Sequence, residues 1–307
     1  MHNIGTNMKK SLRRKLIMSL AAVGVAVAGT SAATYAWFVT NSTVSSTVTG
    51  SVVSSDSSLY IGDNASAFGT NDVNINMRSK KLAPLQAISE NSGFSFKNLN
   101  GSDATENDYI KYSLYFSVQN VYSSAPKKIT MKTEAIDKDY ASKSLMHTAQ
   151  ANVAASGTYK EIKTGEKYWE NVLKTLNMNI SYVTHTDSTQ LDTSLSYSEI
   201  GNYMVNSTAS EYDGLTYYKN VNGLDTLTKG ASVITPNNSL TNNDIDDVSQ
   251  AGKAQGTIDL LTNITASGYY KVDFTIWLDG WDEAGFDAVA SHEFDIKLTF
   301  ALENYTA

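Results

Sequence analysis

From Ile110 to Gln119, the apolar residues Ile110, Tyr112, Leu114, Phe116 and Val118 alternate with Lys111, Ser113, Tyr115, Ser117 and Gln119. A period of two turns the first set toward a core and the second toward water, which predicts a half-buried strand. A second strand is predicted where Ile129, Met131, Thr133 and Ala135 alternate with Thr130, Lys132, Glu134 and Ile136, with residues 120–127 as the connection. Residues 177–185 read as a third, with Met178, Ile180, Tyr182 and Thr184 on one side. The strongest pattern lies near the end. Tyr270, Val272, Phe274, Ile276 and Leu278 alternate with polar partners, and so do Phe294, Ile296, Leu298, Phe300 and Leu302. These two long strands are expected to be neighbours.

Weaker patterns fill the rest. Val44, Ser46, Val48, Gly50 and Val52 alternate with Ser45, Thr47, Thr49, Ser51 and Val53, a light strand or a free arm. Residues 63–107 mix short apolar pieces with loop residues and predict no definite element. Tyr168, Val172 and Leu176 recur every four positions, with Trp169 and Leu173 beside them, so residues 166–176 predict a short amphipathic helix. Residues 186–265 are rich in Asn, Asp, Gly, Ser and Thr and read as a long polar insertion between core strands. Many strands, one helix and loop-rich spacing predict an all-β, jelly-roll-like β-sandwich.

Composition narrows the function classes. The 307 residues contain no cysteine, which removes disulfides, thiolate nucleophiles and Cys-held metals. A net charge of −7 opposes a nucleic-acid partner, because phosphates require clustered Lys and Arg. Charge is also unevenly placed. Lys9, Lys10, Arg13, Arg14 and Lys15 precede an uncharged apolar run from Leu16 to Ala28 and the small residues 29–33. That order is a secretory signal, with signal peptidase as its partner and cleavage after Ala33 or Ala36. The alternative is an uncleaved signal anchor, since residues 16–38 are mostly uncharged. Cleavage removes five of the 24 basic residues and none of the 31 acids, leaving −12. The expected organisation is a signal at 1–36, an arm at 37–55 and a sandwich at 56–307 with its insertion at about 186–265.

Candidate chemistry is sparse. None of His147, His185 and His292 shows metal-ligand spacing, and no nucleophile elbow, phosphate loop or dinucleotide fingerprint occurs. The expectation is therefore no catalytic residue, no enzyme and no resident cofactor. One carboxylate group stands out. Asp279, Asp282, Glu283 and Asp287 lie in a Gly-containing loop that reads either as a Ca²⁺ site or as a solvated turn. Trp277 and Trp281 bracket its start and read either as edge packing or as an aromatic surface for a glycan.

The basic start, the short apolar run and the junction Ala33-Thr34-Tyr35-Ala36-Trp37-Phe38, followed by the Ser/Thr/Val arm, resemble the SipW-type signal and mature start of TasA and camelysin-like proteins of Gram-positive bacteria. The strand patterns at 112–118, 129–135, 274–277 and 294–302 are similar in place to that family's core strands. The 186–265 segment has no counterpart. The resemblance implies a jelly-roll sandwich exported to the cell surface or biofilm matrix, whose partners are further copies of itself and other matrix or surface components. It also implies fibres in which the amino-terminal arm, here carrying Val44, Val48 and Val52, completes the next subunit's sheet. An alternating arm supplies the physics, because it adds main-chain hydrogen bonds to an open sheet edge. The alternative places it as the first strand of its own domain or as a disordered tail. A different function class also remains: a monomeric surface adhesin or glycan-binding module that uses Trp277 and Trp281 and Ca²⁺.

Overall fold

The computed structural model describes residues 44–52, 57–69, 82–90, 93–142, 147–157, 161–168, 171–193, 197–204, 214–224, 238–239, 252–281 and 292–306. They form an all-β, sandwich-like fold within the unit Thr40–Ala307. In chain order, the first strands are β1 (Val44–Val52), β2 (Ser58–Asn64), β3 (Ala67–Gly69), β4 (Pro84–Glu90) and β5 (Gly93–Asn98). β6 (Ile110–Gln119) and β7 (Lys127–Asp137) lead into helix α1 (Lys138–Ser142) and the short pair β8 (His147–Thr148) and β9 (Lys167–Tyr168). β10 (Leu176–His185) and β11 (Ser198–Met204) precede helix α2 (Gly214–Asn222). β12 (Asn238–Ser239), β13 (Lys253–Ile264), β14 (Gly268–Asp279) and β15 (Phe294–Asn304) complete the chain.

One sheet has four strands in the order β1-β15-β7-β13. The other has the order β12-β11-β10-β14-β6-β2-β3, with the β4-β5 hairpin attached to the end of β14. Among the changes of sheet along the chain are those between β1 and β2, β6 and β7, β13 and β14, and β14 and β15, so strands close in sequence lie in different sheets.

That crossing corrects one expectation. β14 and β15 are not neighbours: β14 pairs with β6 and β10, and β15 with β7 and β1. Alternation fixes which face of a strand is buried, not which strand lies beside it, and residues 280–293 are long enough to cross between sheets. The faces themselves follow the alternation. Leu114, Phe116, Phe274, Phe294, Leu298 and Phe300 are all fully buried. Phe116 of one sheet meets Phe300 of the other edge-on at 5.0 Å, and Phe274 meets Phe300 at 6.3 Å.

The helix expected over 166–176 is instead β9, a 3-10 turn at Val172–Thr175 and the start of β10. Asn171 caps the turn by accepting from the Leu173 N–H, and Val172 N–H donates to Asp137, so Val172, Leu173 and Leu176 are buried around a turn. The insertion expected over 186–265 is narrower, because β13 is a full strand of the four-stranded sheet. It buries Ala254, Leu260, Leu261 and Ile264. Gly252 at its entrance has φ +77°, and a Cβ there would lie 2.7 Å from the Asp137 backbone oxygen. The segment between is also anchored: β11 pairs with β10, and Tyr217 of α2 is fully buried.

Truncating Phe300 to alanine removes contacts to both facing sheet residues and is expected to cost about 3–5 kcal/mol of unfolding free energy. Tyr122→Ala, at a side chain 64% exposed, is expected to stay within about 0.5 kcal/mol. Chemical denaturation of the two variants checks the contrast.

Candidate functional site

β1 lies parallel to β15 in unbroken register from Val44↔Phe294 to Val52↔Leu302. Val44, Val48 and Val52 therefore stand opposite Phe294, Leu298 and Leu302. Parallel neighbours need a long crossover; here β1 and β15 are the first and last described strands, and the rest of the fold is the crossover. β15 is antiparallel to β7 on its other side, so β1 is the edge strand of the four-stranded sheet. Residues 44–52 of the arm thus pair with the last described strand of their own chain.

Just before β15, a polar hub ties three elements together. Asp137 ends β7 and caps α1, its Oδ1 accepting from Tyr140 N–H at 2.9 Å. Its Oδ2 accepts from Val172 N–H at 2.8 Å and lies 2.7 Å from His292 Nδ1. Asp137 and His292 are both fully buried. Backbone bonds join the same place: Glu293 N–H donates to Asp139, Lys138 N–H to Glu293 C=O, and Asp137 N–H to Gly252 C=O. The hub fixes the start of β15 against the end of β7.

A second polar group sits on the outer face of the larger sheet. Tyr115 O–H and Lys271 Nζ both donate to Asp192 Oδ1, at 2.7 and 2.9 Å. Ser113 Oγ donates to Asp273 at 2.6 Å beside them. Burial and the bond to Asp192 push the Tyr115 phenol up to about 12. Burial works against the Lys271 ammonium, but its bond to Asp192 and the Asp273 charge outweigh that and raise it. The bonds from Tyr115 and then Lys271 hold Asp192 below the usual carboxylate range. These groups fasten residues 186–193 over Val183 and Tyr115, where Leu191 is fully buried.

The other predicted residues fall as follows. Trp277 is 1% exposed and packs on Phe96 at 5.3 Å. Trp281 is 4% exposed, with its indole N–H donating to Gln86 at 3.3 Å and Tyr218 edge-on at 6.0 Å. The two indoles form no open aromatic edge, because the β4-β5 hairpin and α2 cover them. Asp279 accepts from Trp281 N–H at 2.9 Å as a turn residue. Asp282, Glu283 and Asp287 lie outside the described residues, as do Ala33 and Ala36. His185 Nδ1 accepts from Asp187 N–H at 3.0 Å on the surface.

The pairing of Asp137 with His292 was absent from the sequence reading. The two are 155 positions apart, and each looks ordinary in its own segment. A groove of about 740 Å³ opens beside the end of β13, lined in part by Tyr182, His185, Ile200, Leu260 and Tyr270. Its described lining holds one carboxylate, Asp259, and one imidazole, His185, facing mostly hydroxyl, amide and apolar groups. Among the described residues, no helix is long and apolar enough to cross a membrane.

Asp192 supplies a pH prediction. Its folded pKa is depressed, so its contribution is present above the unfolded carboxylate value of about 3.9 and is lost as pH falls through the folded value. Asp192→Asn is expected to be less stable at pH 7 and to show a shallower loss below about pH 4, read from urea midpoints across pH. The carboxylate is half exposed, so the effect is expected to stay below about 1 kcal/mol.

Comparison with protein-family models, curated proteins and solved structures finds no match to this chain.

Proposed function

We propose that this protein is an exported, non-enzymatic structural subunit of the cell surface or biofilm matrix that assembles into fibres by exchange of its amino-terminal strand. One observation carries the reading: β1, the first described strand, occupies the edge of β15 through nine consecutive residue pairs. A terminal edge strand makes the same main-chain bonds to the β15 of a second copy as to its own. Exchange therefore loses no contact in the seat. Because donor and acceptor surfaces differ, each added subunit exposes a new arm or a new seat, and the contact is heterologous and propagates as an open chain. The basic, apolar and small-residue order of residues 9–33 supports export, and the resemblance to the TasA and camelysin-like family points the same way. Trp277 and Trp281, the aromatic edge that the glycan-binding reading relies on, are buried, which favours the structural reading over it.

The absence of cysteine makes the exchange measurable. Thr47 pairs with Lys297 in the register, and Lys297 is exposed. Chains carrying only Thr47→Cys are mixed with chains carrying only Lys297→Cys. Exchange predicts a disulfide-linked heterodimer on a non-reducing gel, and deletion of residues 37–53 predicts loss of polymers by electron microscopy. Fibres that persist after the deletion, or form without cross-linking, would sink the proposal.

A further inference from the structure

The groove beside β13 is a step in the sandwich. The four-stranded sheet stops at β13, whereas the facing sheet runs on from β14 through β10 to β11. Leu260 and Leu261 of β13 line one side, and Tyr182 and Ile200 of β10 and β11 the other. Tyr182, Ile200 and Tyr270 pack against the core yet stay half-buried, so aromatic and aliphatic surface meets the groove. Its volume of about 740 Å³ is that of a small-molecule site.

An open sheet edge beside an apolar floor ordinarily invites another strand. β13 is not built to take one here. Its register with β7 breaks between Asp259 and Leu261 and again between Leu261 and Ile264, and Asn263 has φ 52°. Bulges of this kind interrupt the even row of main-chain groups on which an added strand depends. Charge narrows the occupant further. The described lining contains no Lys or Arg, so a phosphate or carboxylate finds no counter-charge in it. Asp259, its one carboxylate, is engaged by Lys128 at 2.9 Å and so does not draw a cation. What remains is Thr, Ser and Tyr hydroxyls, the exposed Asn263 amide and the His185 ring.

We infer that this groove binds a neutral saccharide chain. A sugar ring has an apolar C–H face and a rim of hydroxyls that both donate and accept. The groove answers with the rings of Tyr182 and Tyr270 beside the polar groups of Thr262, Asn263 and Thr265. The surface is separate from Trp277 and Trp281, and from β1 and its seat on β15. It therefore goes beyond the structural reading and stands whether or not arms exchange. In a surface or matrix subunit, it ties the chain to polysaccharide.

The test titrates the chain, purified as exported, with maltohexaose, cellohexaose and chitohexaose, and with hexagalacturonate as an anionic counterpart. Calorimetry reads affinity, and ¹⁵N–¹H spectra read position. The expected result is saturable binding of at least one neutral probe, with amide shifts at residues 259–268, and no binding of the anionic one. The double variant Thr262→Val with Asn263→Gly is expected to bind about tenfold more weakly, through the loss of its hydrogen bonds to the sugar. Both side chains are exposed and glycine suits the positive φ at 263, so a folding defect is not the expected effect. Absence of binding to all the neutral probes, equal binding by the double variant, or tighter binding of hexagalacturonate would each overturn the site. The same amide shifts on adding a peptide of residues 44–52 would also overturn it, because the groove would then be a strand seat. Polymers are followed by electron microscopy on the same samples, so failure of this site is distinguishable from failure of the fibre reading.

Discussion

β15 has two hydrogen-bonding edges, and the fold is complete only when both are filled. Its inner residues Phe294, Ile296, Leu298, Phe300 and Leu302 lie in the core, so the strand cannot turn away to hide an open edge. β7 fills one side, and β1 fills the other. Without β1, a row of main-chain N–H and C=O groups beside the core would face solvent and invite pairing with another chain. The arm that removes this liability is tethered to the described fold only at its own carboxyl end. The constraint that completes the domain is thus also what an exchanged copy of the arm would satisfy.

Local alternation made the faces of β6, β7, β10, β14 and β15 legible, because each has a bulky apolar side and a polar side. Partnership was not legible, because pairing depends on how the connections cross between sheets. β13 was hidden for a different reason. Its sequence Lys253-Ala254-Gln255-Gly256-Thr257 has small residues where the other strands have large ones. Its second half breaks register around Leu261, with Asn263 at φ 52°, so no single period runs through it. β4 and β5 were lost among loop residues. Their apolar side, with Leu85, Ala87 and Phe96, packs against Trp277, and the cues, Leu85/Ala87 and Phe94/Phe96 two positions apart, are too short to set a period.

The candidate sites divide along the same line. The arm was visible because a Ser/Thr/Val alternation is local, although its parallel seat on the last strand was not. Trp277 and Trp281 were visible as aromatic residues beside an acidic loop, but their burial depends on a hairpin and a helix 60 to 195 residues away in sequence. Asp137 and His292 carried no sign of each other. A sequence records donor types, whereas convergence is made by the packing of β7, α1 and β15.

That convergence bears directly on the arm. His292 precedes by two residues Phe294, the partner of Val44, and the bonds at Lys138, Asp139 and Glu293 fix where β15 begins relative to β7. Strand register is all-or-none in its effect on faces, since a slip of one residue turns every side chain over. Phe294, Leu298 and Phe300 fill the core in one register only, and the hub holds that register at the end of the strand where the arm's pairing starts. An arm lying on β15 therefore meets a preset row of main-chain groups, whichever copy of the chain supplies it. The polar hub and the edge strand act as one device: the first sets the position of the seat, and the second fills it.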